Sequence, residues 1–340
     1  MSTIRALACT KPGELQYTQL PMPERQAGEA IVKIRRIGIC GTDLHAFEGT
    51  QPYFSYPRIL GHELAAEIVD AGDAPFTKGQ LVTILPYFSC GACVACRRGM
   101  PNCCVNIQVY GVHVDGGMRE YVSVPTKYLV DGRGLSAEQL ALVEPLAIGA
   151  HGIARAAIDE GEFVLVMGAG PIGLGAMEFA AIAGGKVIAM DVNEQRLQFC
   201  RDHLHVHATI NTREEDAIAA IKNITGSEMA TVVIDATGNL HAINEGINFL
   251  AHGGRYILIG LQKEKFSFSH PEFHKREATL MSSRNANISD FHQVIDCLKR
   301  GLIRPETYIT HRVTFEETAA ALPEYLSPAS GVIKAMVCID

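Results

Sequence analysis

The chain is predicted to be an α/β protein of two domains, one β-rich and one built on a doubly wound parallel sheet. Three observations predict this. With 340 residues it exceeds one small domain and can bury two cores. Its first part alternates apolar and polar residues at strand spacing, with Gly and Pro between the segments. From about Glu162 it changes to short continuous apolar runs separated by stretches of helical length, as expected of strands covered by helices on both faces.

In chain order, IRALAC alternates and EAIVKIRRIGIC carries apolar residues at near-strand spacing, a pattern that suits a folded-over barrel. The runs FVLVMG, KVIAMD, TVVIDATG and RYILIG read as buried parallel strands joined through helices in βαβ units. After Arg284 the pattern predicts a helix at DFHQVIDCLKRG, a strand at HRVTF, a helix at EETAAALPEYL and a final strand in GVIKAMVCID. Their place in the fold does not follow from pattern. No internal repeat and no Ser- or Pro-rich linker marks the chain.

Composition narrows the function. Hydrophobic residues make up 47% and charged residues 20%, as in a globular protein. A net charge of −7 with scattered basic residues leaves no footprint for nucleic acid; Arg97 and Arg98 read as a solvated loop face. No apolar run follows a basic start, so a secretory signal is not expected and the cytoplasm is the expected location. The longest uncharged apolar stretch, between Glu162 and Glu178, falls short of the ~20 residues of a spanning helix and contains Pro171, so no membrane partner is expected. Cys90, Cys93, Cys96, Cys103 and Cys104 crowd into one segment, which in a cytosolic chain signals metal before disulfides.

FVLVMG runs into GAGPIG, which sets Gly168, Gly170 and Gly173 in GxGxxG spacing with Pro171 in the first helical turn and Gly184 and Gly185 at the helix end. The first glycine permits the tight turn, the second lets backbone approach a pyrophosphate, and the third lets helix pack on strand. Asp191 ends the next strand, where its carboxylate is suited to ribose hydroxyls and would repel a 2′-phosphate, favouring NAD over NADP. Alone, GxGxxG also fits a plain glycine turn or a methyltransferase; strand, turn, helix, strand and acid in this order favour a dinucleotide. Arg196 is a candidate for the adenine face, a surface helix arginine being the alternative. Ile172, Thr237, Ile259, Gly260 and Arg284 complete the candidate cofactor contacts.

Two metal sets stand out. Cys90, Cys93, Cys96 and Cys104 supply four thiolates, enough to close a tetrahedron around zinc with no open position, which marks a structural site. Cys103 competes for the fourth place. Cys40 in GICGTDLH, His62 and Glu63 in GHE, and Glu144 in VEP form a scattered set of one thiolate, one imidazole and one or two carboxylates, which can hold zinc with a position open. Composition alone would leave His62 an ordinary core or surface histidine.

Through GICGTDLH, GHE, CGACVACRRGMPNCC, DGGMREY, VEP and GAGPIG with Asp191, nearly the whole chain resembles the zinc-containing medium-chain dehydrogenase/reductases. The resemblance implies a GroES-like catalytic domain with a zinc lobe over 1–147, an inserted Rossmann NAD-binding domain over 148–286 and a return to the catalytic domain over 287–340. It implies an active site between the domains, two zinc ions per chain, and a homo-oligomer, dimer or tetramer. Cys40 and His62 look like catalytic zinc ligands, with the division between Glu63 and Glu144 open; Thr42 and His45 look like a proton relay through the cofactor ribose. Simple alcohol dehydrogenases carry a cysteine where Glu144 stands, so the chain is similar to the polyol and threonine dehydrogenase type.

GTQPYFSYPRILGHE, YGVHVDGGMREY, PEFHK and SSRNA look most like the L-galactonate 5-dehydrogenase branch. That points to a sugar acid or polyol, with sorbitol and L-threonine as alternatives. Arg119 is a candidate to reach a carboxylate, a solvated surface arginine being the bland outcome. The implied reaction is transfer of hydride from a secondary alcohol to NAD with zinc as Lewis acid. A non-catalytic relative would have lost ligands or relay, and both are intact.

Overall fold

The computed structural model describes residues 2–52 and 54–340. Met1, and Tyr53 within the GTQPYFSYP segment, lie outside the described residues. The chain forms two compact units, one of Met1–Glu144 with Asn287–Asp340 and one of Pro145–Ala286.

The second unit holds six parallel strands in the order Ala208–Asn211, Lys186–Asp191, Phe163–Met167, Ala230–Asp235, Leu250–Leu258 and Thr279–Ser282. Numbered along the unit this is 3-2-1-4-5-6, the doubly wound dinucleotide order. The apolar runs become central strands because both faces are covered: Val164, Leu165, Val166, Val187, Ile188, Val233 and Ile234 are all fully buried. Helix Pro171–Ile182 follows the first strand, and Gly184 takes φ +89° just beyond its end.

In the first unit a seven-stranded sheet runs Leu129–Asp131, Leu81–Ile84, Glu63–Asp70, Glu29–Ile39, Lys334–Cys338, Ile309–Thr314, with Tyr121–Pro125 also paired to Glu29–Ile39. A three-stranded sheet joins Glu14–Pro21, Thr3–Lys11 and Arg58–Ile59. The final strand is central: Met336 pairs with Gly38, and Gly38 on its other side with Glu63. EETAAALPEYL is a short helix Thr318–Ala321 followed by a 3-10 turn Leu322–Leu326 rather than one helix; Pro323 has no N–H to continue the α ladder.

Candidate metal centres and dinucleotide turn

Helix Gly41–Glu48 follows directly from the long strand Glu29–Ile39, and Cys40 is its N-cap residue. Asp43, fully buried, folds back to accept the Cys40 N–H at 2.9 Å and the Gly61 N–H at 3.1 Å, tying the thiol turn to the segment that carries His62. The DGG stretch backs that segment: Gly116 N–H donates to Ile59 O and Gly117 N–H to Gly61 O. A Cβ on Gly116 would lie 2.7 Å from Gly111 Cα, too close for any side chain.

The result is a cluster in which Cys40 Sγ, a His62 ring nitrogen and a Glu63 oxygen lie within 4.8 Å of one another. Glu144 does not join that group; its carboxylate accepts the Tyr87 hydroxyl, both residues being buried. Burial lifts the Glu144 carboxyl to about 7. Burial also opposes charge on His62, yet the Cys40 thiolate, then Asp43, outweigh it and raise the imidazole well above its ordinary value. His62 Nδ1 is buried without a hydrogen bond, 3.8 Å from Asp43 Oδ1. Thiolate, imidazole and carboxylate converging in an excess of negative charge are a donor set that fits zinc.

Both Glu63 oxygens accept from Lys334 Nζ, at 2.6 and 2.7 Å, inside the protein. Burial alone would lower the Lys334 pKa; Glu63, and after it Cys40, outweigh burial and raise it. The pair exists because Gly38 lies between the two strands: a Cβ there would collide with Glu63 Oε2. Lys334, Tyr87, Asp43 and Gly38 were not singled out from sequence. Only the lone glycine in RRIGIC was a signal, since 271 residues separate Lys334 from Glu63.

Thr42 and His45 lie three apart in the same helix, on one face. His45 is largely exposed, with Nδ1 3.0 Å from Thr50 Oγ1 and 3.4 Å from Glu48 Oε2. Arg119 donates to the Tyr110 hydroxyl at 3.1 Å and to the Asp115 carbonyl at 3.4 Å.

Cys90, Cys93, Cys96 and Cys104 bring four sulfurs within 4.8 Å of one another, and Cys103 is not in the group. Backbone N–H groups of Cys96 and Val105 hold the Cys93 thiol down at about 6, while burial lifts Cys96 to about 11. Four thiols with amides aimed at them fit a closed zinc site.

In the second unit Gly168 takes φ +99°, and a Cβ on Gly173 would collide with the Gly168 carbonyl, so helix and strand meet through the absent side chain. Gly170 caps the helix and Pro171 and Ile172 open it. Asp191 accepts the Ala169 N–H at 2.6 Å and the Asn193 N–H at 2.9 Å, so the acid also fixes the glycine turn. A Cβ on Gly170 would lie 3.7 Å from Arg196 Nη1, which places that guanidinium beside the turn. Asp235, buried and raised in pKa by burial, accepts the Thr237 and Gly238 N–H groups at 3.2 Å. Its carbonyl accepts Ile259 N–H and Gly260 N–H. Asp235 therefore organises Thr237, Ile259 and Gly260, and was missed from sequence. Arg284 is exposed just past the last strand.

Comparison with known proteins agrees with this anatomy. Residues 26–133 match the family model for the alcohol dehydrogenase GroES-like domain, and 171–300 the model for zinc-binding dehydrogenase. The chain is 45% identical to L-galactonate-5-dehydrogenase of Escherichia coli K12, over 94% of each chain. It is 30% identical to sorbitol dehydrogenase of Bacillus subtilis 168, over 95% of this chain and 94% of the relative. A solved structure described as a short chain alcohol dehydrogenase (rspB) of E. coli CFT073, complexed with NADH, is 31% identical, with TM-score 0.92 and 100% of both chains covered. Full-length relatives at these identities, with both family models matched, show that the chain belongs to the zinc-type, nicotinamide-dependent medium-chain alcohol dehydrogenases.

Proposed function

We propose that this enzyme oxidises a secondary hydroxyl of a sugar acid or polyol with NAD, L-galactonate being the first candidate, as a cytoplasmic homodimer or homotetramer. The observation that carries the substrate reading is the 45% identity over 94% of both chains to L-galactonate-5-dehydrogenase. The buried Glu144, where simple alcohol dehydrogenases carry a cysteine, supports it. Zinc held by Cys40, His62 and Glu63 supplies Lewis acidity toward the substrate hydroxyl, and NAD at the Gly168–Gly173 turn supplies the hydride acceptor.

The protein's own residues bind, orient and move the proton. Thr42 accepts the hydroxyl proton and passes its own onward, and the exposed His45 delivers it to water. Glu144, fixed by Tyr87, sets the polarity of the pocket. Asp191 keeps lone pairs free for ribose hydroxyls after accepting its two backbone N–H groups. The closed set of Cys90, Cys93, Cys96 and Cys104 holds a second, structural zinc.

The test is NADH formation with L-galactonate, sorbitol, L-threonine and ethanol in parallel. L-galactonate should give the highest kcat/KM, and a preference for ethanol would overturn the substrate reading; sorbitol or L-threonine in first place would transfer it to that branch. Thr42→Val should lower kcat about 100-fold with zinc and NAD still bound. Turnover near wild type at full metal occupancy would remove Thr42 from the relay.

A further inference from the structure

Lys334 is a buried cation that no sequence motif contains, 2% exposed against a fully buried Glu63. Its ammonium donates to both Glu63 oxygens and, at 3.1 Å, to the Ile39 carbonyl. Those acceptors use all of its hydrogens. The register makes the contact. Gly38 pairs with Glu63 on one side and Met336 on the other, and Lys334, two residues before Met336, shares its face. The missing Cβ at Gly38 lets the carboxylate lie across the middle strand.

That same carboxylate supplies one of the three atoms gathered with Cys40 and His62. An ammonium and a dication would therefore address the same carboxylate. Resting on the reading of Cys40, His62 and Glu63 as the catalytic metal set, we propose that Lys334 is a positioning residue that competes with the metal for Glu63 and thereby limits how tightly the ion is held. With Lys334 in place, Glu63 divides its lone pairs between ammonium and metal and is a weak, exchangeable ligand. Without the ammonium, the pocket gains one net negative charge and Glu63 turns wholly to the ion. The ion should then be held more tightly, opposite in sign to the leakage that a merely disturbed pocket would show.

The experiment uses the holoenzyme with cobalt(II) in place of zinc, reading the visible band that Cys40→Ser abolishes and the rate of metal loss to dipicolinate. Lys334→Gln should slow that loss about tenfold or more and shift the cobalt bands. Lys334→Arg, which keeps the charge, should stay near wild type. In a Glu63→Gln background Lys334→Gln should change the rate less than about twofold, because a residue acting through Glu63 has nothing left to act on. A folded Lys334→Gln protein that loses metal at the wild-type rate or faster overturns the proposal, as does an equal effect in the Glu63→Gln background. Should Lys334→Gln not fold, Lys334→Met replaces it. Failure of both to fold in the presence of metal, while the Glu63→Gln/Lys334→Gln pair folds, also overturns it, since the ion then cannot stand in as partner to Glu63. If wild type shows no Cys40-dependent band, the metal-site reading falls; a band indifferent to Lys334 sinks only this inference.

Discussion

At position 38 any side chain would occupy the space that the Glu63 carboxylate crosses to reach Lys334. Gly38→Ala should separate a fully buried ion pair and destabilise the first unit by about 3 kcal/mol or more, read by urea unfolding. Asp191 holds the Ala169 amide, and in the proposed function it also presents lone pairs to a ribose. Asp191→Ala should weaken NADH binding by on the order of 1–3 kcal/mol and narrow its gap to NADPH, measured by fluorescence titration. Equal use of both cofactors by the unaltered enzyme would show that the acid is misassigned. Cys40, His62, Glu63 and Asp191 were legible because each lies in a short motif whose chemistry is local. Lys334 was not, because its meaning comes from a partner on another strand.

Among elements, the cysteine lobe shows how one turn separates two adjacent thiols. Pro101–Cys103 forms a 3-10 turn, and Cys104 leaves it with φ −55° and ψ 132°, so neighbouring side chains diverge. Cys104 Sγ accepts the Cys90 N–H at 3.3 Å and the Asn106 N–H at 3.4 Å, contacts suited to a thiolate. Cys104→Ser should therefore cost about one zinc per chain and unfold the lobe, while Cys103→Ser keeps the metal content; elemental analysis with limited proteolysis reads both. The spacing of the cysteines was visible in the sequence, but the choice between Cys103 and Cys104 depends on the turn's dihedral angles. The strand-and-helix alternation of the second unit was equally visible, since each central strand is a continuous apolar run. Asp235 was hidden inside one of them: an acid at a strand end has no pattern of its own until Thr237, Gly238, Ile259 and Gly260 fold around it.

For the whole molecule, two separate ligand sets imply about two zinc ions per chain. A mild chelator should remove the ion of the open set first and abolish activity while the fold persists; active enzyme with one zinc or fewer would contradict the two-site reading. The chain leaves its first unit after Glu144 and returns at Asn287 to place Lys334–Cys338 beside Glu29–Ile39. Deleting residues 329–340 should therefore collapse that unit rather than fray an end, because it removes an interior strand and exposes the hydrogen bonds of its neighbour. Loss of near-ultraviolet circular dichroism would report the collapse, and an intact signal would show the strand is dispensable. By itself the sequence determined the fold class, the glycine turn, the acid after it and the four-cysteine set through local spacing and apolar periodicity, and it offered Cys40, His62, Glu63 and Glu144 through motifs that resemble a known family. Only the tertiary structure decided that Glu63 rather than Glu144 joins Cys40 and His62, that Tyr87 holds Glu144, and that Lys334 shares Glu63. Those outcomes depend on which strands pair and in what register, and a chain reveals that only when residues hundreds of positions apart come within a few ångströms.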